Sequence, residues 1–207
     1  MFQSTGAFNQ PLEGWDVSSV TNMQNMFDNA RAFNQPLNAW DVSAVQDMSG
    51  LFFASKTFNQ PLEGWDVSAV QDMENLFSYA KVFDQPLNGW DVSGVRNMSG
   101  LFSRTEAFNQ PLDAWGVSSV ETMRGMFFAA RAFDQPLSTW DVSNIKDMRQ
   151  MFMSASSFDQ SLAAWKLSKE TQLDDMFEGT QALSEAHYEE MYRRWGVALR
   201  WERGGAA

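Results

Sequence analysis

Tryptophan recurs along this chain every 25 residues, without a single insertion. Phenylalanine, glutamine and serine keep the same interval from Phe8, Gln10 and Ser18, so the unit is F-[ND]-Q-P-L-x-x-W-D-V-S-x-V-x-x-M-x-x-[ML]-F-x-x-A. A strict period of roughly 20–50 residues is typical of solenoids, propellers and repeat arrays, and a propeller blade takes about 40 residues or more. The period therefore predicts a solenoid. Seven of the nine tryptophans keep this interval: Trp15, Trp40, Trp65, Trp90, Trp115, Trp140 and Trp165.

One unit has room for one short strand and one short helix. Trp15 and Val17 alternate with Asp16, which predicts a strand with Asp16 facing outward. Apolar residues then recur at spacings of three and four from Val20 to Ala30, which predicts an amphipathic helix. We therefore predict a right-handed, leucine-rich-repeat-like α/β solenoid of seven 25-residue turns, each with one short parallel strand and one short helix.

The two ends of the chain differ. The repeat occupies residues 1–182, with a partial first turn, and residues 183–207 depart from it. Within that last segment, the stretch from Ser184 to Trp195 is helix-like and ends at Gly196, which predicts a C-terminal helical cap. The N-terminal end has no equivalent cap. We expect association through this uncapped end, with a neighbouring subunit or with further repeats of a longer protein.

Composition argues against several classes of function. The chain has no cysteine and one histidine, which removes thiol chemistry and leaves little for histidine catalysis. Its net charge of −11 disfavours a nucleic-acid partner. No apolar run reaches the roughly 18 residues of a membrane-spanning helix. We expect no catalytic residues, no cofactor, no metal site, no nucleic acid and no direct membrane insertion.

A row of aspartates is the candidate ligand-binding feature. If the turns stack in register, neighbouring carboxylates lie about 5 Å apart and repel one another. A local hydrogen bond from the backbone of Ser18 to Asp16 would partly neutralise this charge. The alternatives are a face for basic protein ligands, or a Ca²⁺ site, for which the chain lacks a calcium-loop motif. The row consists of Asp16, Asp41, Asp66, Asp91 and Asp141.

The other repeated positions are interpreted mainly as structural. The tryptophans are expected in the core rather than on a sugar-stacking surface, and the methionines in the core rather than in a plastic groove. The glutamines are expected to form a buried ladder that satisfies turn backbones, with a polar recognition stripe as the alternative. His187 is expected on the surface or half-buried. One variable position on the helix side suggests a partner patch of Phe53, Phe128 and Met153.

The FNQPLxxWDVSxVxxMxxMF motif closely resembles the BspA-like leucine-rich-repeat surface proteins, whose repeat is about 25 residues long. The resemblance covers residues 1–182. It implies a leucine-rich-repeat-like solenoid and a cell-surface or secreted protein that acts in adhesion and binding, and it brings no catalytic residues. The chain departs from the pattern at Gly116, Ser161, Lys166 and Glu170.

We therefore expect a non-enzymatic binding or adhesion protein. It would present an extended acidic surface to a protein or other macromolecular ligand, at a cell surface or in secreted form. The alternative is a structural scaffold or linker subunit within a larger multiprotein assembly.

Overall fold

The computed structural model describes residues 1–196, so the tail of the predicted cap, 197–207, lies outside the described residues. Within residues 1–196 the only helix is α1, Glu185–Trp195, and β structure is limited to isolated parallel bridges of single residues. The predicted α/β solenoid, with a strand and a helix in each of seven turns, is therefore wrong. The bridges join residues 25 apart: Asn22 to Asp47, Asp47 to Asp72, Asp72 to Asn97, Asn97 to Thr122, Thr122 to Asp147 and Asp147 to Gln172.

Each 25-residue unit is instead a coil of tight turns that bonds sideways to the next coil. The backbone N–H of Leu76 donates to the carbonyl of Met73 within its own coil, at 3.2 Å. The next N–H, that of Phe77, donates to the carbonyl of Leu101 in the following coil, at 3.0 Å. This alternation satisfies the backbone without an α-helix or a continuous strand, and it recurs at every junction between successive coils from residue 23 to residue 178.

Left-handed backbone conformations explain why the apolar spacing of three and four does not produce a helix. In one coil Asn75 and Tyr79 have φ of 54° and 60°, and residues at equivalent positions of the other coils also have positive φ. A left-handed residue cannot continue a right-handed helix, and asparagine and glycine adopt this conformation at least cost. Asparagine or glycine occupies the first of these two positions in five coils: Asn25, Gly50, Asn75, Gly100 and Gly125.

The core consists of stacks of identical aromatic side chains that run through successive coils. The rings of Phe52 and Phe77 lie 5.7 Å apart and almost parallel, and Phe52 also stacks on Phe58 at 4.0 Å. Trp65 and Trp90 form a parallel stack with 6.4 Å between their ring centroids. All five side chains are buried. Because each coil is covered by its neighbours on both sides, burial depends on stacking rather than on any single unit.

Helix α1 lies where a further coil would follow. The N–H of its N-cap residue Ser184 donates to Asp159 Oδ1 at 2.8 Å. Trp195 stacks on Trp165 at 6.5 Å and donates its indole N–H to the carbonyl of Trp165 at 3.3 Å. The helix ends at Gly196 in the left-handed conformation, with φ of 68°. Helix α1 thus covers the last coil in place of another repeat, while the division of the chain at residue 182 stays a prediction.

Candidate functional site

The row of aspartates lies on the surface, and its members share one local geometry. Asp16 Oδ1 accepts the backbone N–H of Ser18 at 3.1 Å and the Ser18 hydroxyl at 2.7 Å. This is the local hydrogen bond that the sequence predicts, and it fixes the direction of the carboxylate. Ser18 therefore holds the Asp16 carboxylate in one orientation. The same backbone bond, 3.0–3.1 Å long, recurs at Asp41, Asp66, Asp91 and Asp141.

These serine contacts hold the pKa of the carboxyl groups below its ordinary value. At Asp41 the hydroxyl of Ser43 is the largest cause of the lowered pKa, followed by the backbone N–H of Ser43. Slight desolvation and the neighbouring carboxylates of Asp66 and Asp16 raise the pKa without reversing the direction. The row is therefore ionised at neutral pH despite the mutual repulsion of its members.

Further carboxylates lie three residues before the row in alternate coils and extend the acidic character of this face. The row is interrupted at Gly116 and ends at Lys166, whose charge contributes to the lowered pKa of Asp141. The sequence indicates this extension through an acidic residue three positions before the row, in two E-x-x-D segments and one D-x-x-G segment. All of these acidic residues are exposed. We call the aspartate row together with these residues the acidic surface; the added members are Glu13, Glu63 and Asp113.

The tryptophans fall into two groups. Trp15 is 41% exposed, and among the described residues no carbonyl accepts its indole N–H. In each later coil the indole N–H donates to a leucine carbonyl 28 residues earlier, as Trp90 does to Leu62 at 3.0 Å. The structure places the later tryptophans in the core, with exposed fractions of 2–4%: Trp40, Trp65, Trp90, Trp115, Trp140 and Trp165.

A second polar row joins the coils inside the stack. Asn34 Oδ1 accepts the backbone N–H of Asn59 at 2.9 Å and the side-chain amide of Gln60 at 3.2 Å. The sequence predicts that the glutamines satisfy turn backbones, but the residue before each glutamine does so. The glutamines from Gln35 to Gln160 are half-buried and donate to that residue of the preceding coil. The signal in the sequence is the [ND] position, where either residue supplies the acceptor oxygen. We call this row the Asn/Asp ladder: Asn9, Asn34, Asn59, Asp84, Asn109, Asp134 and Asp159.

The proposed partner patch is half-buried and contains residues that the sequence did not indicate. The ring of Phe53 lies 5.5 Å from that of Tyr79. The guanidinium of Arg104 lies over the ring of Phe128 at 4.8 Å and over the ring of Tyr79 at 5.2 Å. These four side chains line a shallow groove of about 430 Å³, which Met153 does not line. Tyr79 and Arg104 occupy the repeat position that directly follows the position of Phe53. Variation at that position is the sequence signal that would have added them to the patch.

A larger pocket of about 850 Å³ is lined by residues of the last coils and of α1. On its walls His187 Nδ1 lies 2.8 Å from Asp159 Oδ1, and the Ser161 hydroxyl donates to Glu190 Oε2 at 2.7 Å. Burial raises the pKa of Asp159, but the hydrogen bonds from Ser184 and His187 outweigh it and the net direction is downward. Serine and histidine are thus each paired with a carboxylate, and these contacts attach α1 to the last coil.

Residues 1–196 contain neither a metal-binding cluster nor a membrane-spanning helix. No group of three or more histidine, aspartate or glutamate side chains is arranged to hold a metal ion in this part of the chain. Helix α1 has eleven residues, and no helix of the described chain combines the length and the apolarity that crossing a bilayer requires.

The stacked 25-residue coils, with their aromatic core and Asn/Asp ladder, define a tandem-repeat protein. A family model described as "Mycoplasma protein of unknown function, DUF285" matches residues 1–102 and again residues 83–190. The chain belongs to this family. Each match spans several repeat units, so the family is a family of repeat proteins. Comparison with curated proteins and with solved structures gives no match.

Proposed function

We propose that this chain is a non-catalytic binding protein that presents its acidic surface to a basic segment of a protein ligand. The observation that carries the proposal is the repeated aspartate–serine pair. Asp66, for example, is exposed, and its Oδ1 accepts both the backbone N–H and the hydroxyl of Ser68, at 3.0 and 2.7 Å. A carboxylate that is already oriented loses little conformational freedom when a cation binds it.

The regular spacing of these carboxylates supports an extended ligand. Successive members come from successive coils, and the backbone bonds between coils set a spacing of about 5 Å. The repeat positions equivalent to Glu13 and Asp16 contain no lysine or arginine in any coil before Lys166. Such a field of one sign attracts and orients a basic partner, and its effect weakens as salt is added.

The resemblance to BspA-like leucine-rich-repeat surface proteins adds a location and a role to this proposal. Membership of a repeat-protein family fits a surface that is built by repetition. On the resemblance, we place the protein at a cell surface or in secreted form, where the acidic surface acts in adhesion. The binding test below does not depend on that location.

A lysine octapeptide labelled with fluorescein tests the acidic surface by fluorescence anisotropy. We expect binding that weakens with added NaCl, and an affinity at least about tenfold lower for the triple variant D41N/D66N/D91N. Asparagine keeps an acceptor oxygen for the serine, so thermal unfolding should stay close to that of the unmodified chain.

A second triple variant, E106Q/E121Q/E189Q, is the matched control. It removes the same charge from exposed glutamates that pair with lysine or arginine elsewhere on the molecule. The proposal predicts that this variant binds the peptide like the unmodified chain. Equal weakening in both triple variants would mean that net charge alone attracts the peptide, and would contradict a built binding surface.

A scaffold role is the second candidate, and the N-terminal coil favours it. Met1 and Trp15 are 83% and 41% exposed there, beside the half-buried rings of Phe2 and Phe8. A neighbouring subunit seated on this coil would bury these apolar side chains. Light scattering at rising concentration tests the idea. Association that Trp15→Arg abolishes would support it, and a monomer throughout the range would contradict it.

A further inference from the structure

Arg104 is held by two aromatic rings rather than by an acid. Its guanidinium carbon lies 5.2 Å from the ring centroid of Tyr79 and 4.8 Å from that of Phe128. Tyr79 belongs to the coil before Arg104 and Phe128 to the coil after it, so the guanidinium contacts side chains of both neighbouring coils. The two ring contacts restrict the side chain without using its N–H groups as donors to an oxygen.

The edge of this guanidinium has no acceptor among residues 1–196. The Arg104 side chain donates no hydrogen bond and forms no ion pair in the described chain, although the residue is exposed and the chain carries a net charge of −11. Most other arginines with a defined side-chain contact reach an oxygen: Arg149 pairs with Asp147 and Arg193 with Glu189. A guanidinium that is restrained by two rings and has no oxygen acceptor for its N–H groups is suited to a planar, bidentate acceptor.

The surrounding groove has a positive local balance in an acidic protein. The charged residues that line it are Glu74, Arg104 and Arg124. Glu74 is already engaged, because Oε1 accepts the side-chain amide of Asn75 and Oε2 that of Asn97, both at 3.2 Å. Arg124 is exposed and donates no side-chain hydrogen bond in the described residues. Two arginines and one glutamate therefore line the groove, and the glutamate already accepts two amide hydrogens.

The geometry points to a carboxylate-binding site at Arg104, in which an acidic peptide segment of a protein partner lies along the groove from Phe53 to Phe128. A glutamate or aspartate of the segment accepts the N–H edge of Arg104, and a second carboxylate reaches Arg124. An apolar or aromatic side chain of the segment packs on the half-buried rings of Phe53 and Tyr79. This site lies in different columns of the repeat from the acidic surface and does not depend on the function proposed for it.

The length of the groove sets the length of the segment. Phe53 and Phe128 are separated by three steps between coils, at about 5 Å each. An extended peptide rises about 3.3 Å per residue, so roughly five or six residues span the groove. Because the protein is strongly acidic overall, an acidic peptide is repelled by most of its surface, and its binding would report this groove specifically.

The test uses the full chain and a fluorescein-labelled hexapeptide of alternating glutamate and phenylalanine, acetylated and amidated at its ends. Fluorescence anisotropy should show binding at micromolar to millimolar protein, with an affinity at least about tenfold lower for R104Q and for F128A. Arg104→Lys keeps the charge but loses the planar edge, and it should also weaken binding. Arg31→Gln removes the same charge at an exposed arginine outside the groove and should leave the affinity unchanged.

Each other outcome overturns the site. Absence of binding up to millimolar protein, or equal affinity in R104Q and the unmodified chain, removes it. Equal binding of a hexapeptide of glutamine and phenylalanine would show that only apolar packing is involved. Inorganic phosphate and chloride are compared as competitors at equal ionic strength. Displacement of the peptide by phosphate but not by chloride would make the site a phosphate site rather than a peptide site. Unchanged thermal unfolding of R104Q shows that the variant is folded.

Discussion

The indole N–H of Trp90 donates to the carbonyl oxygen of Leu62 across 3.0 Å, linking two residues that are 28 positions apart in the chain. The indole is 4% exposed, so this bond replaces water for both partners. Each tryptophan from the second coil onward makes the equivalent bond to the previous coil. One side chain thereby fills the core of its own coil and satisfies the backbone of its neighbour.

Replacing Trp90 by alanine should lower the free energy of unfolding by about 3–5 kcal/mol, because it leaves a cavity and removes one of the two hydrogen bonds that the carbonyl of Leu62 accepts, the other coming from the backbone N–H of Trp65. Trp15→Ala is the matched control from the same column, and since Trp15 is 41% exposed it should cost less than half as much. Urea unfolding followed by circular dichroism measures both. Equal losses of stability in the two variants would contradict the difference in burial between Trp90 and Trp15.

Replacing Asn59 by leucine should cost about 1–3 kcal/mol for each donor left without an acceptor. The donors are the backbone N–H of Asp84 and the side-chain amide of Gln85, both 3.0 Å from Asn59 Oδ1. Asn59→Asp should be far milder, because a carboxylate oxygen does the same work at Asp84. Chemical denaturation measures both variants. Equal instability of the two would show that the acceptor oxygen at position 59 does not contribute to stability.

Gly100→Ala should destabilise the chain by about 1–2 kcal/mol, the cost of forcing a left-handed residue with a side chain. Gly100 has φ of 65°, and an added Cβ would also meet Asn75 Oδ1 in the preceding coil. Gly89→Ala is the control, since nothing lies within 4 Å of a Cβ added there. Differential scanning calorimetry should show a lower Tm for the first variant only; a matching drop in both would argue against left-handed backbone at Gly100.

Removing the serine hydroxyl from the acidic surface should raise a carboxyl pKa. In Ser43→Ala the pKa of Asp41, followed by NMR of its carboxyl carbon, should move up towards its ordinary value, and that of Asp141 should stay where it is. The pKa of Asp41 is lower in the folded chain than in the unfolded chain. The contact with Ser43 therefore stabilises the fold at pH values above the unfolded-state pKa, and this stabilisation is lost as the pH falls through the folded-state pKa. The stability difference between the two chains should therefore shrink on acidification. A pKa that does not move would contradict the contact.

The repeat pattern predicted which side chains are inside but not the backbone that carries them. Val17 is buried and Asp16 exposed, as the alternation indicates, yet no strand forms there. The one bridging residue of the coil is Asn22, five residues after Val17. The apolar spacing from Val20 to Ala30 fits a helix and a run of tight turns equally well. Asn25 and its equivalents decide between them, since their positive φ prevents a helix, and that column of asparagine and glycine is the signal in the sequence.

The candidate sites were predictable where one repeated residue defines them and not where contacts cross between coils. The acidic row follows directly from the position after each tryptophan. The contacts of Arg104 with two rings could not be predicted, because Tyr79 and Phe128 come from the coils on either side. Tyrosine and arginine also occur only once each at their shared position in the repeat. Which side chains meet across coils depends on the sideways register, which the hydrogen bonds between coils set.

The central claim is that successive coils are joined by sideways backbone hydrogen bonds and contain no helix. NMR couplings transmitted through hydrogen bonds test it directly at Phe77, whose N–H lies 3.0 Å from the carbonyl oxygen of Leu101. We predict a coupling between the amide nitrogen of Phe77 and the carbonyl carbon of Leu101. A coupling from Phe77 to the carbonyl of Met73, four residues earlier, is what an α-helix would give, and it would contradict the account.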